Sequence, residues 1–435
     1  MDRRILAVVA AVIIVVAGVG AYLVTSGGSG GSDKVDVQAS LSICGNANGD
    51  YRIDDDDVSI IKDIVDGKLT ASDYPLADAN HDGSVDQDDV DFVQSMIKKT
   101  NTYLYVYDDK DQFVKVNYPI TKSVVVGTNP ITTAILIGAD KYILGFSSTS
   151  YPEIHKPIIQ NSKKLGGTIT DLNTDEAISN FMKLDVDCGG LDVVIALPTY
   201  LKTSADLIEK ANIPIVRLDP RYGWDSISGA LTMGYMYGEE TEKRSQEFAE
   251  MTFTYLADIE KKLENVDVKK TYLAVAAGNS IGQLDSAYNK VCDYAGGTPI
   301  ANLPGSSGEA IEQGSEGYKN YDPDYIISFR TLDYSINMVH AVTGKVTTPE
   351  DEWKAYQKYW EDMDCYKDLV YVNLAMPVIA QIAYVAEIFY PEIFGEGYGD
   401  KVHQDIVDNF MEYLGEGFDV SEDMTTTFGY DDIFN

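Results

Sequence analysis

Apolar and polar positions divide the chain into four stretches of different rhythm. Residues 5–24 form one unbroken apolar run, preceded by Asp2, Arg3 and Arg4. At about 1.5 Å rise per helical residue, such a run spans about 30 Å, one bilayer core. It has no polar face of the kind a surface helix of a globular domain shows. The arginines orient it with the following chain outside the cytoplasm. Residues 1–25 therefore read as a signal anchor or a cleaved signal peptide, and no Cys follows to accept a lipid. Residues 26–40 begin Ser26-Gly27-Gly28-Ser29-Gly30-Gly31-Ser32, the composition of a flexible linker.

From 41 to 100 the pattern repeats at an offset of 32 residues, Asn46 aligning with Asp78. Each unit is a polar loop followed by a helical apolar spacing: Val58, Ile61, Ile64 and Val65 in the first, Val90, Val93, Met96 and Ile97 in the second. The first loop offers oxygen at positions 1, 3, 5, 9 and 12 from Asn46, Asn48, Asp50, Asp54 and Asp57, with the Arg52 carbonyl at position 7. The second offers Asp78, Asn80, Asp82, Asp86 and Asp89, with the Ser84 carbonyl. This is the hard-oxygen cage that Ca²⁺ requires. The repeat resembles a dockerin module: two loop-helix units that lack the entering helix of a full EF-hand and carry Asp at position 12. The resemblance implies two bound Ca²⁺ and a cohesin-type protein partner. It departs at position 6, which is Gly83 in the second loop and Tyr51 in the first. The first loop also has three carboxylates against four, so the second is expected to bind Ca²⁺ more tightly.

Beyond residue 100 the rhythm changes again. Residues 103–107 and 113–116 alternate about a turn at 108–111, a hairpin. Short apolar runs follow at 123–126, 142–146, 192–197 and 213–218, separated by helical stretches, and a second set lies at 271–276, 300, 325–329 and 369–374, followed by a final helix over 377–390. Buried strand runs alternating with helices predict parallel sheets covered on both faces. A helical stretch from 224 to about 265, interrupted by Gly229, Gly234 and Gly238, separates the two sets. The expected fold class is α/β: two lobes joined by one long helix, preceded by a small all-α calcium-binding module and an N-terminal transmembrane helix.

Composition narrows the function. The chain has 435 residues, 69 Asp and Glu against 34 Lys and Arg, and a formal charge of −35. That balance excludes a nucleic-acid backbone as partner. The four cysteines, Cys44, Cys188, Cys292 and Cys365, form no CxxC, and pairing among them is undetermined. The four histidines, His81, His155, His340 and His403, form no HExxH.

Four segments in order carry a second resemblance, over 101–435. They are Gly138-Ala139-Asp140-Lys141-Tyr142-Ile143-Leu144-Gly145, Ala211-Asn212-Ile213-Pro214-Ile215-Val216, Asp322-Pro323-Asp324-Tyr325-Ile326-Ile327 and Tyr390-Pro391-Glu392-Ile393-Phe394. The chain resembles solute-binding proteins of ABC importers of the metal-chelate class, which handle iron-siderophores, haem and cobamides. The resemblance implies two Rossmann-like lobes joined by one long helix and an extracytoplasmic, non-enzymatic receptor, anchored by its N-terminal helix or secreted if that is cleaved. Its ligand would lie between the lobes and its partner would be an importer permease. Glu176 and Glu316 match the acidic residues that this family presents to permease arginines. Cleft candidates at strand C-termini are Asn129, Ser147 to Tyr151, Thr199, Tyr200, Arg221, Tyr222, Trp224, Asn279, Arg330 and Met376. The aromatic rings suit a flat or catecholate chelate, and Arg221 and Arg330 suit its anionic groups. Cys188 is expected in an inserted loop, 184–190, and Cys292 in a helix. Three other readings stay open: an importer of bare Zn²⁺ or Mn²⁺, a dockerin-recruited surface enzyme such as a glycosidase, and a surface scaffold without transport role.

Overall fold

The computed structural model describes residues 22–23, 36–37, 39–149, 151, 153–220, 223–276, 280–281, 286–300, 309–310, 322–330 and 348–434. Both acidic loops end on a helix, and equivalent carboxylates start the two. Asp54 caps α1 (Asp55–Val65) and Asp86 caps α2 (Gln87–Ile97), accepting from the amides of Asp56 and Asp88 at 2.9 and 2.8 Å. Asp57 and Asp89 reach back to the amides of Asp54 and Asp86 at 2.9 and 2.8 Å. These reciprocal caps satisfy N–H groups that a helix start leaves open. Val58, Ile61 and Ile64 of α1 and Val90, Val93 and Met96 of α2 are buried, as their spacing predicts, whereas Val65 is exposed.

The hairpin of β1 (Tyr103–Asp108) and β2 (Gln112–Asn117) joins this module to the rest. Its inward residues Leu104, Val106 and Val116 are buried. Ile43 bridges Val106, and the Cys44 and Tyr107 amides donate to the carbonyls of Tyr105 and Ser42 at 2.9 and 3.0 Å. At the hairpin's other end the Asp109 amide donates to the Arg217 carbonyl at 2.8 Å.

The first lobe is a five-stranded parallel sheet of β3 (Ser123–Val126), β4 (Ile143–Phe146), β5 (Lys163–Lys164), β6 (Val193–Ala196) and β7 (Ile215–Arg217), in the order β5-β4-β3-β6-β7. Helices α3 (Thr128–Leu136), α4 (Lys156–Asn161), α5 (Asp175–Cys188) and α6 (Ala205–Lys210) connect the strands. Successive residues enter different cores. Val125, Ile195 and Val216 face one hydrophobic cluster, and Val124, Val126, Val194, Ala196 and Ile215 the other. Two-sided burial is why these strands read as continuous apolar runs.

After α7 (Gly223–Met236) and α8 (Glu239–Leu263) the second lobe builds a mixed sheet. Its strands are β8 (Thr271–Ala276), β9 (Ser280–Ile281), β10 (Thr298–Pro299), β11 (Glu309–Ala310), β12 (Tyr325–Arg330), β13 (Leu369–Asn373) and β14 (Thr427–Gly429). The order is β11-β9-β8-β12-β13-β14, with β10 beside β8. The strands β8, β10, β12 and β13 are parallel; at the margins β9 pairs antiparallel with β8, β11 with β9 and β14 with β13. Its helices include α9 (Ala287–Tyr294), α10 (Pro349–Tyr356), α11 (Val378–Phe389), α12 (Pro391–Phe394) and α13 (Tyr398–Phe410).

The structure corrects several expectations. The single long helix is two, α7 and α8, broken at Tyr237-Gly238. Gly238 has φ +104°, a left-handed value that continues no helix. The Thr241 hydroxyl donates to the carbonyls of Gly234 and Gly238 at 2.7 and 2.9 Å. A Cβ on Gly234 would collide with the Ser245 side chain, so glycine lets the two helices close on each other. The helix over 377–390 is not the last element, because α12, α13 and β14 follow it. Cys188 ends α5 rather than lying in an inserted loop, while Cys292 is helical as expected. All four cysteines are free thiols. At the N-terminus, Tyr22–Leu23 pairs antiparallel with Asp36–Val37 instead of closing an apolar helix, and 5–21 lies outside the described residues. Among the described residues no helix is long and apolar enough to cross a membrane. The linker's last residues are packed: Ala39 is buried and the Ser40 amide donates to Ser228 Oγ at 3.0 Å.

Candidate functional site

Parallel strands deliver their C-terminal loops to one sheet edge, where α/β folds hold ligands. In the first lobe the segments after β3, β4, β6 and β7 carry Asn129, the second residue of α3, residues 147–149 and 151, Thr199 with Tyr200, and Trp224, the second residue of α7; Ser150 lies outside the described residues. In the second lobe Arg330 ends β12 and Met376 follows β13. The lobes meet beside these loops. The Tyr413 hydroxyl donates to the Ile154 carbonyl at 2.6 Å, and Tyr151, Ile154, Ala375 and Met376 belong to one continuous core. Arg221, Tyr222, Asn279 and Glu316 lie outside the described residues.

The candidates differ in what they can offer. Asn129 and Tyr200 are half-buried and Thr199 is exposed. The Tyr200 ring lies over Gly127, where a Cβ would come within 2.7 Å of it; with φ +115° this glycine opens the turn into α3. Ser147 is buried and donates to the Ile169 carbonyl at 3.3 Å. Tyr151 is buried, its ring edge-on to His155. His155, which the sequence shows only as one of four histidines outside any metal motif, organises this loop. Its Nε2 lies 2.9 Å from Thr132 Oγ1, and its Nδ1 is bonded to the Thr149 hydroxyl. Complete burial pushes its pKa down to about 3, so the ring is neutral. Arg330 is not free for an anionic ligand: Glu352 holds its guanidinium, which also lies over the Tyr356 ring at 4.5 Å. Nothing around Arg330 in the sequence signals this partner, 22 residues away. Met376 is buried, and its carbonyl accepts from Gln381 at 2.7 Å. Glu176 stands exposed in the first turn of α5. A concavity of about 440 Å³ along α13, lined by Asp400, Gln404 and Phe418 among others, lies away from the strand ends.

The two acidic loops fold alike. In the first, the Asn48 amide donates to Asp57 Oδ1 at 3.0 Å, the Asp50 amide to Asn48 Oδ1 at 2.9 Å and the Arg52 amide to Asp50 Oδ1 at 2.7 Å. In the second, Asn80 donates to Asp89 at 3.1 Å, Asp82 to Asn80 at 2.9 Å and Ser84 to Asp82 at 3.0 Å. A carboxylate that accepts one amide retains lone pairs for a cation. Asn46 is fully buried, yet its Oδ1 has no hydrogen-bond partner; its Nδ2 donates to the Leu41 and Asp50 carbonyls, both at 2.7 Å. An orphaned carbonyl oxygen at position 1 fits a cation ligand, and so does the all-oxygen donor set. Burial pushes the Asp57 carboxyl up to about 7, against the pull of the Asn48 and Asp54 amides. Asp50 and Asp89 are raised too, chiefly by burial. Among the described residues no three His, Cys, Asp or Glu side chains gather as a metal cage; these loops rely on Asn46, Asn48, Asn80 and backbone carbonyls as well.

No protein-family model and no curated protein sequence matches the chain. Solved structures do. An ABC transporter solute-binding protein from Sulfurospirillum deleyianum superposes with TM-score 0.53 at 17% identity, covering 71% of this chain and 95% of that one. A molybdate periplasmic binding protein of a Haemophilus influenzae ABC transporter gives 0.53 at 16%, covering 70% and 97%. A Helicobacter pylori protein described as a nickel-histidine complex gives 0.55 at 13%, covering 71% and 96%. At these identities the likeness is one of fold. The α/β body of this chain has the fold of the periplasmic solute-binding proteins of ABC transporters.

Proposed function

We propose that the chain is an extracytoplasmic solute-binding protein that captures an iron-siderophore, haem or cobamide for an ABC importer. The observation that supports this most is the fold: two lobes that meet beside the C-terminal strand loops, in the architecture of transporter binding proteins. The half-buried Tyr200 and the loop 147–151 supply aromatic and hydroxyl contacts for a planar or catecholate ligand. With Arg330 held by Glu352, Arg221 is the remaining guanidinium among the cleft candidates for an anionic chelate. Glu176 and Glu316 are the proposed permease contacts, and residues 1–25 the anchor or signal. Equilibrium binding of ferric siderophores, haemin and cobamides to the purified chain tests the assignment, with micromolar or tighter affinity for one class expected.

The 41–100 module carries its own proposal, a calcium-dependent dockerin. Asn46, Asn48, Asp50, Asp54, Asp57 and the Arg52 carbonyl would hold one Ca²⁺. Asp78, Asn80, Asp82, Asp86, Asp89 and the Ser84 carbonyl would hold the other. The support is the matched hydrogen bonding of the two loops and the orphaned Asn46 oxygen. Bound Ca²⁺ would offset repulsion among carboxylates that burial disfavours. A cohesin-type module is the proposed partner.

A further inference from the structure

Helix α8 is where the module and both lobes converge. Lys141 of the first lobe pairs with its Glu240 at 2.5 Å. Glu412 of the second lobe takes two bonds from its Arg244, at 2.8 and 3.1 Å. The acidic module reaches the same helix at two places: Lys99, just after α2, pairs with Glu242, and the first loop reaches it at the one position that departs from the repeat. In the second loop, position 6 is Gly83, at φ +97°, and its amide donates to Asp78 Oδ2 at 2.9 Å. In the first loop, position 6 is Tyr51. Its ring is 8% exposed and meets Phe253 of α8 edge-on, centroids 5.5 Å apart. The next residue, Arg52, pairs with Glu250 of α8 at 2.6 Å. Tyr51 therefore lies between the position 5 carboxylate of Asp50 and the position 7 carbonyl of Arg52, while its side chain is fastened to the helix.

We infer that the first loop is a calcium-dependent brace on the lobe-joining helix: its occupancy is coupled, through Tyr51 and Arg52, to the docking of the module on α8. The inference rests on the calcium reading above and gives that loop a partner within its own chain. A cation held by Asp50 and the Arg52 carbonyl fixes the backbone on both sides of Tyr51. Seating the Tyr51 ring on Phe253 requires one backbone conformation of the same residues. Two events that select one conformation favour each other, and the coupling is reciprocal. The second loop, with Gly83 in place of the ring, lacks this link.

The test uses the full chain with two readouts. Calorimetric Ca²⁺ titration of wild type is expected to show two sites. In Phe253→Ala the weaker site loses about fivefold affinity and the other stays within twofold. Amide exchange over 239–263 is expected to slow when Ca²⁺ is added to wild type. In Tyr51→Gly, which gives the first loop the second loop's glycine, both sites still bind but the slowing of α8 disappears. The exchange comparison stands even if Phe253→Ala does not fold. Two calcium isotherms in wild type with unchanged α8 exchange would overturn the brace and leave the calcium reading intact. Absence of any calcium isotherm would overturn both.

Discussion

Glu352 Oε2 lies 3.0 Å from Arg330 Nε and 2.9 Å from its Nη2, and the two side chains are 4 and 5% exposed. The charge that ends β12 is thus spent inside the protein. Removing one partner of a buried pair strands the other, at a cost on the order of 3–5 kcal/mol. Glu352→Ala and Arg330→Met are each expected to lower the urea midpoint accordingly. The double variant Arg330→Met/Glu352→Leu recovers most of the loss, because it leaves no unpaired charge. A double variant that loses the sum of the two single losses would show that the pair is not coupled.

Acid sensitivity follows from two buried imidazoles. His155 and His403 both titrate near 3 in the fold, against about 6.5 when unfolded, because burial disfavours the charged ring. The unfolded chain therefore binds protons first as pH falls. The full contribution to stability is present above pH 6.5 and is lost progressively toward pH 3. Between pH 6.5 and 4.5 each histidine is expected to cost about 2–3 kcal/mol. Unfolding free energies of His155→Gln over that range should show a shallower slope than wild type. An unchanged slope would contradict a neutral, buried His155.

The two loops proposed to hold calcium should differ in strength. The second has four carboxylates and a left-handed Gly83 whose amide closes on Asp78; the first has three, with Tyr51 at that turn. Asp86→Ala is expected to abolish the tighter calorimetric site and Asp54→Ala the weaker one. A larger loss of total affinity from Asp54→Ala would reverse the assignment.

Paired surface acids set encounter and orientation more than ligand affinity. The combined change Glu176→Lys and Glu316→Lys is expected to abolish chelate uptake by cells while equilibrium chelate binding stays within twofold. Uptake at the wild-type rate would remove the permease role of these residues.

Much of the architecture was legible because its signals are local. Val124 to Val126 and Val193 to Ala196 are apolar without interruption because both faces of their sheet are covered, and the loop-helix repeat announces itself by its 32-residue offset. The break in the long helix was half legible. Gly238 marked it, but the contact of Gly234 with Ser245 that folds α8 back on α7 is made between turns and leaves no periodic trace. The cleft was least legible. The partners of Arg330 and of Thr149 are Glu352 and His155, and neither spacing nor composition distinguishes an arginine awaiting an anion from one already paired. The role of Tyr51 was visible only as a misfit at position 6; its reason, Phe253, lies about 200 residues further along the chain.

The most direct test of the receptor assignment is a titration of the full chain, with Ca²⁺ present, against ferric siderophores, haemin and cobamides. Tryptophan fluorescence and visible absorbance would be read together. The account predicts saturable quenching by one of these classes at micromolar or lower concentration, and its loss in Trp224→Ala with the circular dichroism spectrum unchanged. No response to any of the three classes from a folded protein would contradict it.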